Sequence, residues 1–363
     1  MSPSRFNRAE SNMQAEPDAP IGPHGETVLH LAAQEGKPAE AAKAIAAGAT
    51  VFIMDRKNST PLIYAAAIGA TDVIRELVRA DRKGIDYAGS TGTALGLAAR
   101  RCDIESVRVL LDSGADINAP DDMGATPLMD AVFNKEKAMV DYLILRGVDV
   151  NVLRMGEGAL HLAARTGDVG IIKSILAAGG AEQLNQQTRT NKLSPLHVAV
   201  LTGEHAAAEE LLTAGAMTGL ENAQGLTPVE MAAQQGDAKM IRLLVERGQA
   251  DLRVAGGEQK FTPLLRAVFD GKEEAVRELV RMGADPEAKD SGGRNALALA
   301  AAKNNVELVK FFAEELADAP ASLAAALKEA QDKNSSAVIP LLEQAGKDYV
   351  MRHNFPKSTT LSP

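Results

Sequence analysis

Apolar residues in this chain recur in short clusters divided by polar breaks. One cluster runs from Pro61 to Ile68 behind Thr60 and ends at Gly69. Thr60 is a good helix N-cap, and Pro61 suits the first helical position, where no amide donor is needed. The pattern therefore predicts a short helix with Leu62 and Ala65 on one face. Gly69 lets the chain leave that helix with a positive φ. A second helix is predicted from Thr71-Asp72, with Val73, Ile74, Leu77 and Val78 at i, i+3/i+4 spacing. Polar stretches such as Asp116-Ile117-Asn118 lead on to the next cluster and predict extended hairpin loops.

The same unit returns along the chain. Thr60-Pro61-Leu62 recurs as Thr126-Pro127-Leu128, Ser194-Pro195-Leu196 and Thr262-Pro263-Leu264, with looser copies starting at Thr27, Thr93, Gly158, Thr227 and Asn295. The steps between starts are 33, 33, 33, 32, 36, 33, 35 and 33 residues. Five residues after the start is Ala in all nine copies, and two after it is Leu in eight, with Val229 in the ninth. Ala at that position lets a neighbouring backbone come close. A single unit has no second face against which to bury its apolar side, so stacking on the next unit is required.

The starts Thr27-Val28-Leu29-His30, Gly158-Ala159-Leu160-His161 and Ser194-Pro195-Leu196-His197, and the ends Gly114-Ala115-Asp116-Ile117-Asn118, Gly147-Val148-Asp149-Val150-Asn151 and Gly283-Ala284-Asp285, resemble the ankyrin-repeat family. The resemblance implies an all-α solenoid of stacked helix–turn–helix units with hairpin loops, about nine repeats over residues 23–316. It also implies protein binding through the hairpin tips and the concave face of the inner helices, without catalysis. Some positions depart from the pattern. Cys102, Lys135 and Asn304 replace the glycine nine residues after the start, and Asp81 replaces a later one. The longer steps insert residues at about 180–193 and 249–261, which predicts hairpins that reach further out. After Leu316 the frame is lost. Residues 317–346 are assigned to a C-terminal capping helix pair, over 321–331 and 336–344, with Pro320 as a break. Residues 1–22 are expected to form a disordered arm and 347–363 a flexible tail.

Composition narrows the function. The net charge of −9 gives no general attraction for nucleic acid or anionic membranes, and stacking aromatics are scarce. The single Cys102 excludes an internal disulfide and is expected to be a packing residue. No run approaches the length of a membrane span or a signal-peptide core, so the cytoplasm is the expected compartment. His30, His161 and His197 lie three residues after a helix start, where they can bond the cap as in a capping box. Neither a cofactor site nor clustered zinc ligands are expected, nor an enzymatic Ser, His and acid set.

Partner-facing positions then follow from the frame. Those just upstream of the starts supply Arg56, Lys57, Met123, Arg154, Met155, Lys192 and Phe261. Those seven and eight residues downstream supply Arg100, Arg101, Phe133, Arg165 and Phe269. Acidic residues also fall there, among them Glu35, Asp122, Glu157 and Asp270. Arg, Met and aromatic side chains are enriched at interface cores. The expectation is a monomeric interaction scaffold whose groove, over the second to sixth copies, binds an acidic protein segment with apolar anchors. An exported effector that binds a target in another cell is one alternative, and a non-catalytic subunit of an enzyme complex is another.

Overall fold

The computed structural model describes residues 16–316 and 319–354. The chain divides into two units, residues 1–183 and 184–363. The first unit holds five helix pairs: α1 Val28–Gln34 with α2 Pro38–Ala46, α3 Pro61–Ile68 with α4 Thr71–Ala80, α5 Ala94–Arg100 with α6 Ile104–Asp112, α7 Pro127–Phe133 with α8 Lys137–Leu145, and α9 Ala159–Thr166 with α10 Val169–Ala177. A two-stranded hairpin, β1 Leu153–Arg154 with β2 Glu157–Gly158, precedes α9 and pairs antiparallel, Arg154 opposite Glu157. The second unit holds four pairs: α11 Pro195–Thr202 with α12 His205–Thr213, α13 Pro228–Gln235 with α14 Ala238–Glu246, α15 Pro263–Phe269 with α16 Glu273–Arg281, and α17 Ala296–Ala302 with α18 Val306–Glu315. A last pair follows, α19 Pro320–Asp332 and α20 Ile339–Asn354.

Within each unit, first helices pack on the first helices of the adjacent repeat, and most second helices on its second helices. The alanine five residues after each start is 0% exposed in all nine repeats, from Ala32 to Ala300. A larger side chain there would push two helices apart, because interiors pack near crystal density. The helix starts behave as their residue types dictate. Thr60, Thr93, Thr126, Thr262 and Asn295 each accept a backbone N–H from three residues on. Gly69 leaves its helix at φ 75°, and where this glycine is replaced the backbone stays left-handed, with φ 56° at Cys102, 60° at Lys135 and 54° at Asn304.

Two devices tie one repeat to the next. His30 is fully buried; its Nδ1 accepts the Thr27 N–H at 3.1 Å, and its Nε2 bonds the Ser59 carbonyl at 3.1 Å, just before the next start. His197 does the same with Ser194 at 3.3 Å and Leu226 at 3.3 Å. In the seventh repeat Glu230 takes this place: it accepts from the Thr227 N–H at 2.8 Å and from the Gly256 N–H of the next hairpin at 2.8 Å. Burial raises the Glu230 pKa against these bonds. The hairpins are closed by Asx turns. Asp55 Oδ1 accepts from the backbone of Lys57 and Ser59, Asp121 from Met123 and Ala125, and Asn222 from Gln224 and Leu226.

Three expectations at the edges of the frame are corrected. The insertion after α10 does not begin as an outward loop: residues Gly180–Gln183 form a 3-10 turn, and Gln183 is buried, bonded to the Val150 carbonyl and to the Leu160 N–H, while the exposed hairpin is confined to residues 189–192. Pro320 does not break a helix but opens α19 as its first residue, and α20 continues to Asn354, past the Lys347 where a tail was expected. Asp18, within the expected arm, accepts the Thr50 N–H at 2.8 Å and hydroxyl at 2.6 Å, which holds that segment on the first repeat. The rest of the arm, residues 1–15, and the tail from residue 355 lie outside the described residues.

Candidate protein-binding grooves

Four sequence-derived candidates meet in one groove of the first unit. Arg100 from α5, Met123 from the next hairpin, Phe133 at the end of α7 and Arg154 on β1 line a cavity of about 370 Å³, with Met129 and Leu162 as apolar walls. Met123 is 68% and Phe133 62% exposed, large apolar side chains that the fold itself leaves uncovered. Met155 is 63% exposed at the tip of the β1–β2 hairpin. It and Gly156 both have positive φ, 52° and 82°, as a type I′ turn demands.

The groove is not the simple basic surface that the sequence predicts. Arg100 Nη2 lies 2.7 Å from Asp130 Oδ1, and Nε donates to the same oxygen at 3.2 Å. Burial pushes the Asp130 carboxyl up, while the Arg100 guanidinium pulls it down. Arg165 is paired with Glu157. Asp121, Asp130 and Glu157 all line the cavity, so its cations are matched by carboxylates. Arg154 takes part in no ion pair among the described residues, and its side chain lies over Gly124, where an added Cβ would come within 3.3 Å of Cγ.

The other candidates sit elsewhere. Arg56 and Lys57 are exposed on the second hairpin, where the Arg56 N–H donates to the His24 carbonyl at 2.8 Å. Arg101 turns back over Gly69, whose missing Cβ would be 3.4 Å from Arg101 Nε. Lys192, Phe261 and Phe269 belong to the second unit. Lys192 is exposed at a hairpin position with φ 50°. Phe261 is 0% exposed and leaves the candidate contact set; its ring lies under the Arg266 guanidinium and 5.2 Å from Phe269. Phe269 is 37% exposed, with Lys303 Nζ 3.5 Å above its ring.

The sequence frame missed Asp130. It stands four residues after a start, where seven of the other eight repeats carry Leu, Val, Met or Tyr. A carboxylate at an apolar register position, thirty residues after an arginine, was the available signal. Among the described residues no group of three His, Cys, Asp or Glu is placed to hold a metal ion, and no helix is long and apolar enough to cross a membrane. Burial and a hydrogen bond with Glu136 raise the Cys102 pKa, the opposite of an activated thiol.

Comparison with known proteins places this geometry. The chain is 27% identical over 296 residues to the E3 ubiquitin-protein ligase KEG of Arabidopsis thaliana, covering 76% of this chain and 18% of that protein. It is 32% identical over 162 residues to the B-cell lymphoma 3 protein homolog of Mus musculus, covering 42% of this chain and 36% of that protein. The chain thus spans a minor part of the length of both relatives. Among solved structures it resembles the ankyrin repeat domain of Bcl-3, with a TM-score of 0.53 and 25% identity, covering 59% of this chain and 96% of that one. A family model of ankyrin repeats matches residues 29–121, 85–154, 128–222, 160–255, 196–290 and 264–352. With the helix pairs, buried alanines and capping histidines above, this coverage shows that the chain belongs to the ankyrin-repeat family.

Proposed function

We propose that the chain is a non-catalytic protein-interaction module, and that the first-unit groove over the third to fifth repeats is its contact surface. The observation that carries this is the cavity beside two exposed apolar side chains, Met123 and Phe133, with Arg154 at its edge. Large apolar groups left open to water together at the rim of one cavity mark a contact site, whereas a single exposed apolar side chain does not. Arg100 and Arg165 are already neutralised by Asp130 and Glu157, so they fix the groove walls more than they recruit charge. The partner segment that fits carries an apolar anchor for Met123 and Phe133, with a carboxylate for Arg154.

A photo-crosslinking residue at position 133, compared with one at position 145, tests this. Leu145 is 81% exposed at the end of α8, outside the groove. In lysate of the source cell, position 133 is expected to capture a protein that excess wild type displaces and the Met123→Glu variant does not. Equal capture from position 145 would show that the groove is not the contact surface.

A further inference from the structure

The second unit carries a groove of different chemistry. Asn191, Gln224, Gln234 and Gln235 line a cavity of about 270 Å³, with Leu201 and Met231 among its apolar residues. No charged side chain among the described residues lines it. The contrast with the first groove follows the repeat register. Three residues before the start, the last two hairpins of the first unit carry Met123 and Met155, after His24, Lys57 and Ser90 in the earlier ones, whereas the second unit has Asn191, Gln224 and Gln259 in three successive hairpins before Gly292. These hairpins are tied by their main chains: the Ala223 N–H donates to the Asn191 carbonyl at 2.9 Å, Gly257 to Gly225 at 3.2 Å and Ser291 to Gln259 at 3.0 Å. The amides are therefore held as successive rungs.

The rungs have spare hydrogen-bonding capacity. Asn191, Gln224 and Gln234 are exposed, and their side-chain amides bond no protein group among the described residues. Gln235 Nε2 donates to the Leu201 carbonyl at 3.1 Å, which leaves its oxygen as an acceptor. A primary amide offers two donors and a two-lone-pair acceptor, the same complement as a peptide group. A charged ligand would lose hydration here without meeting a counter-charge, and a wholly apolar one would strand the amides. What matches both is the main chain of an extended polypeptide, with an apolar side chain set against Leu201, which is 51% exposed.

We propose that the groove of the sixth and seventh repeats binds an uncharged, extended polypeptide segment through its main chain, with Asn191, Gln224 and Gln234 bonding its peptide groups. This surface is separate from the Met123/Phe133 groove and selects by hydrogen-bond complement instead of by charge.

The test is selection of peptides of about twelve residues from a random display library on the full chain, in parallel with the near-isosteric Asn191→Asp, Gln224→Glu, Gln234→Glu triple variant. All three positions are exposed, so the variant keeps the fold, which its circular dichroism checks. Peptides lost on the variant by more than about tenfold in Kd are expected to have uncharged cores. Their Kd is expected to stay flat from about 50 mM to about 500 mM salt. N-methylation of a peptide bond within the core is expected to weaken them by about tenfold or more, because it deletes one donor. The same peptides should still bind a Met123→Glu, Phe133→Glu chain, which separates this groove from the first. The proposal is overturned by a selection that yields no variant-sensitive peptide, by charged cores with steep salt dependence, or by binding indifferent to N-methylation.

Discussion

Replacing His197 with phenylalanine keeps a ring in the fully buried site but removes every polar bond the imidazole makes. Ser194 loses the acceptor of its N–H at 3.3 Å and of its hydroxyl at 2.8 Å, and the Leu226 carbonyl loses the Nε2 donor at 3.3 Å. Ser194 and Leu226 are themselves 1% and 3% exposed, so water does not readily replace the ring nitrogens. Each buried polar group left unpaired costs about 1–3 kcal/mol, and partial relaxation puts the expected loss near 2–4 kcal/mol at pH 7.5. The acid dependence is sharper. Burial holds His197 at about 4, below its ordinary 6.5, against the opposing bond to Leu226. The unfolded chain therefore binds the proton first. The stability tied to the neutral ring is complete above about pH 6.5 and drains away as pH falls towards 4, by about 3 kcal/mol in all. Phenylalanine has no such term, so the gap between wild type and variant should shrink by about 2 kcal/mol between pH 7.5 and 4.5. His30, also lowered by burial, titrates in both proteins and cancels from the difference. Because repeat arrays unfold in parts, hydrogen exchange of α11 and α13 peptides is the appropriate readout, supported by urea melts followed by circular dichroism. A gap that stays constant with pH would refute a neutral, proton-excluding His197.

Glu278 on α16 is bonded by Arg242 at 2.8 Å and by Arg281 at 3.1 Å, and these guanidinium bonds hold its carboxyl down to about 2. Its contribution is present above the ordinary pKa of 4.5 and is lost as pH falls through about 2. Glu278→Gln should cost about 1–2 kcal/mol at pH 7, and the cost should vanish in that acid window when urea midpoints are compared. Lys135 is exposed and holds φ 60°, so Lys135→Gly should stabilise the first unit by about 0.5–1 kcal/mol. Loss of stability there would mean that the lysine side chain contributes more than its backbone costs.

Much of the fold was legible because each structural demand is stated in most or all of the nine repeats. The alanine that admits a neighbouring helix, the cap hydroxyl and the left-handed exit each recur in register, and the helices begin where those signals stand. Cys102, Lys135 and Asn304 kept the backbone that the missing glycine predicts, since the turn between two packed helices leaves no other path. The frame was blind where it stops repeating. Gln183 fell in an insertion and read as an outward loop, but its amide meets the Val150 carbonyl and the Leu160 N–H, two groups the local string does not announce. The last helix read as ending at residue 344 and the tail as starting at Lys347, although the helix runs on to Asn354 and Tyr349, Val350 and Met351 line the same cavity as Leu342.

The candidate site was legible as a set of positions and not as a set of pairings. Counting from each start finds the side chains near the groove, hence Arg100, Met123, Phe133 and Arg154 together. Whether Arg100 is free depends on Asp130 of the next repeat, a relation across stacked helices that a count along one repeat does not contain. Phe261 shows the same limit from the other side. It stands one residue before its start, as Ser59 and Leu226 do, and all three are buried. That position feeds the stack: the carbonyls of Ser59 and Leu226 receive the histidines of the preceding repeats, and Phe261 pairs with Gly256 across its own hairpin. Two residues earlier the chain is at the turn, where the main chains of Met123, Asn191 and Gln224 serve the framework but their side chains are exposed and do not. Selection for a partner can act on those side chains without cost to the stack, so the change from Met123 and Met155 to Asn191 and Gln224 in neighbouring hairpins is better explained by what they bind than by how they fold.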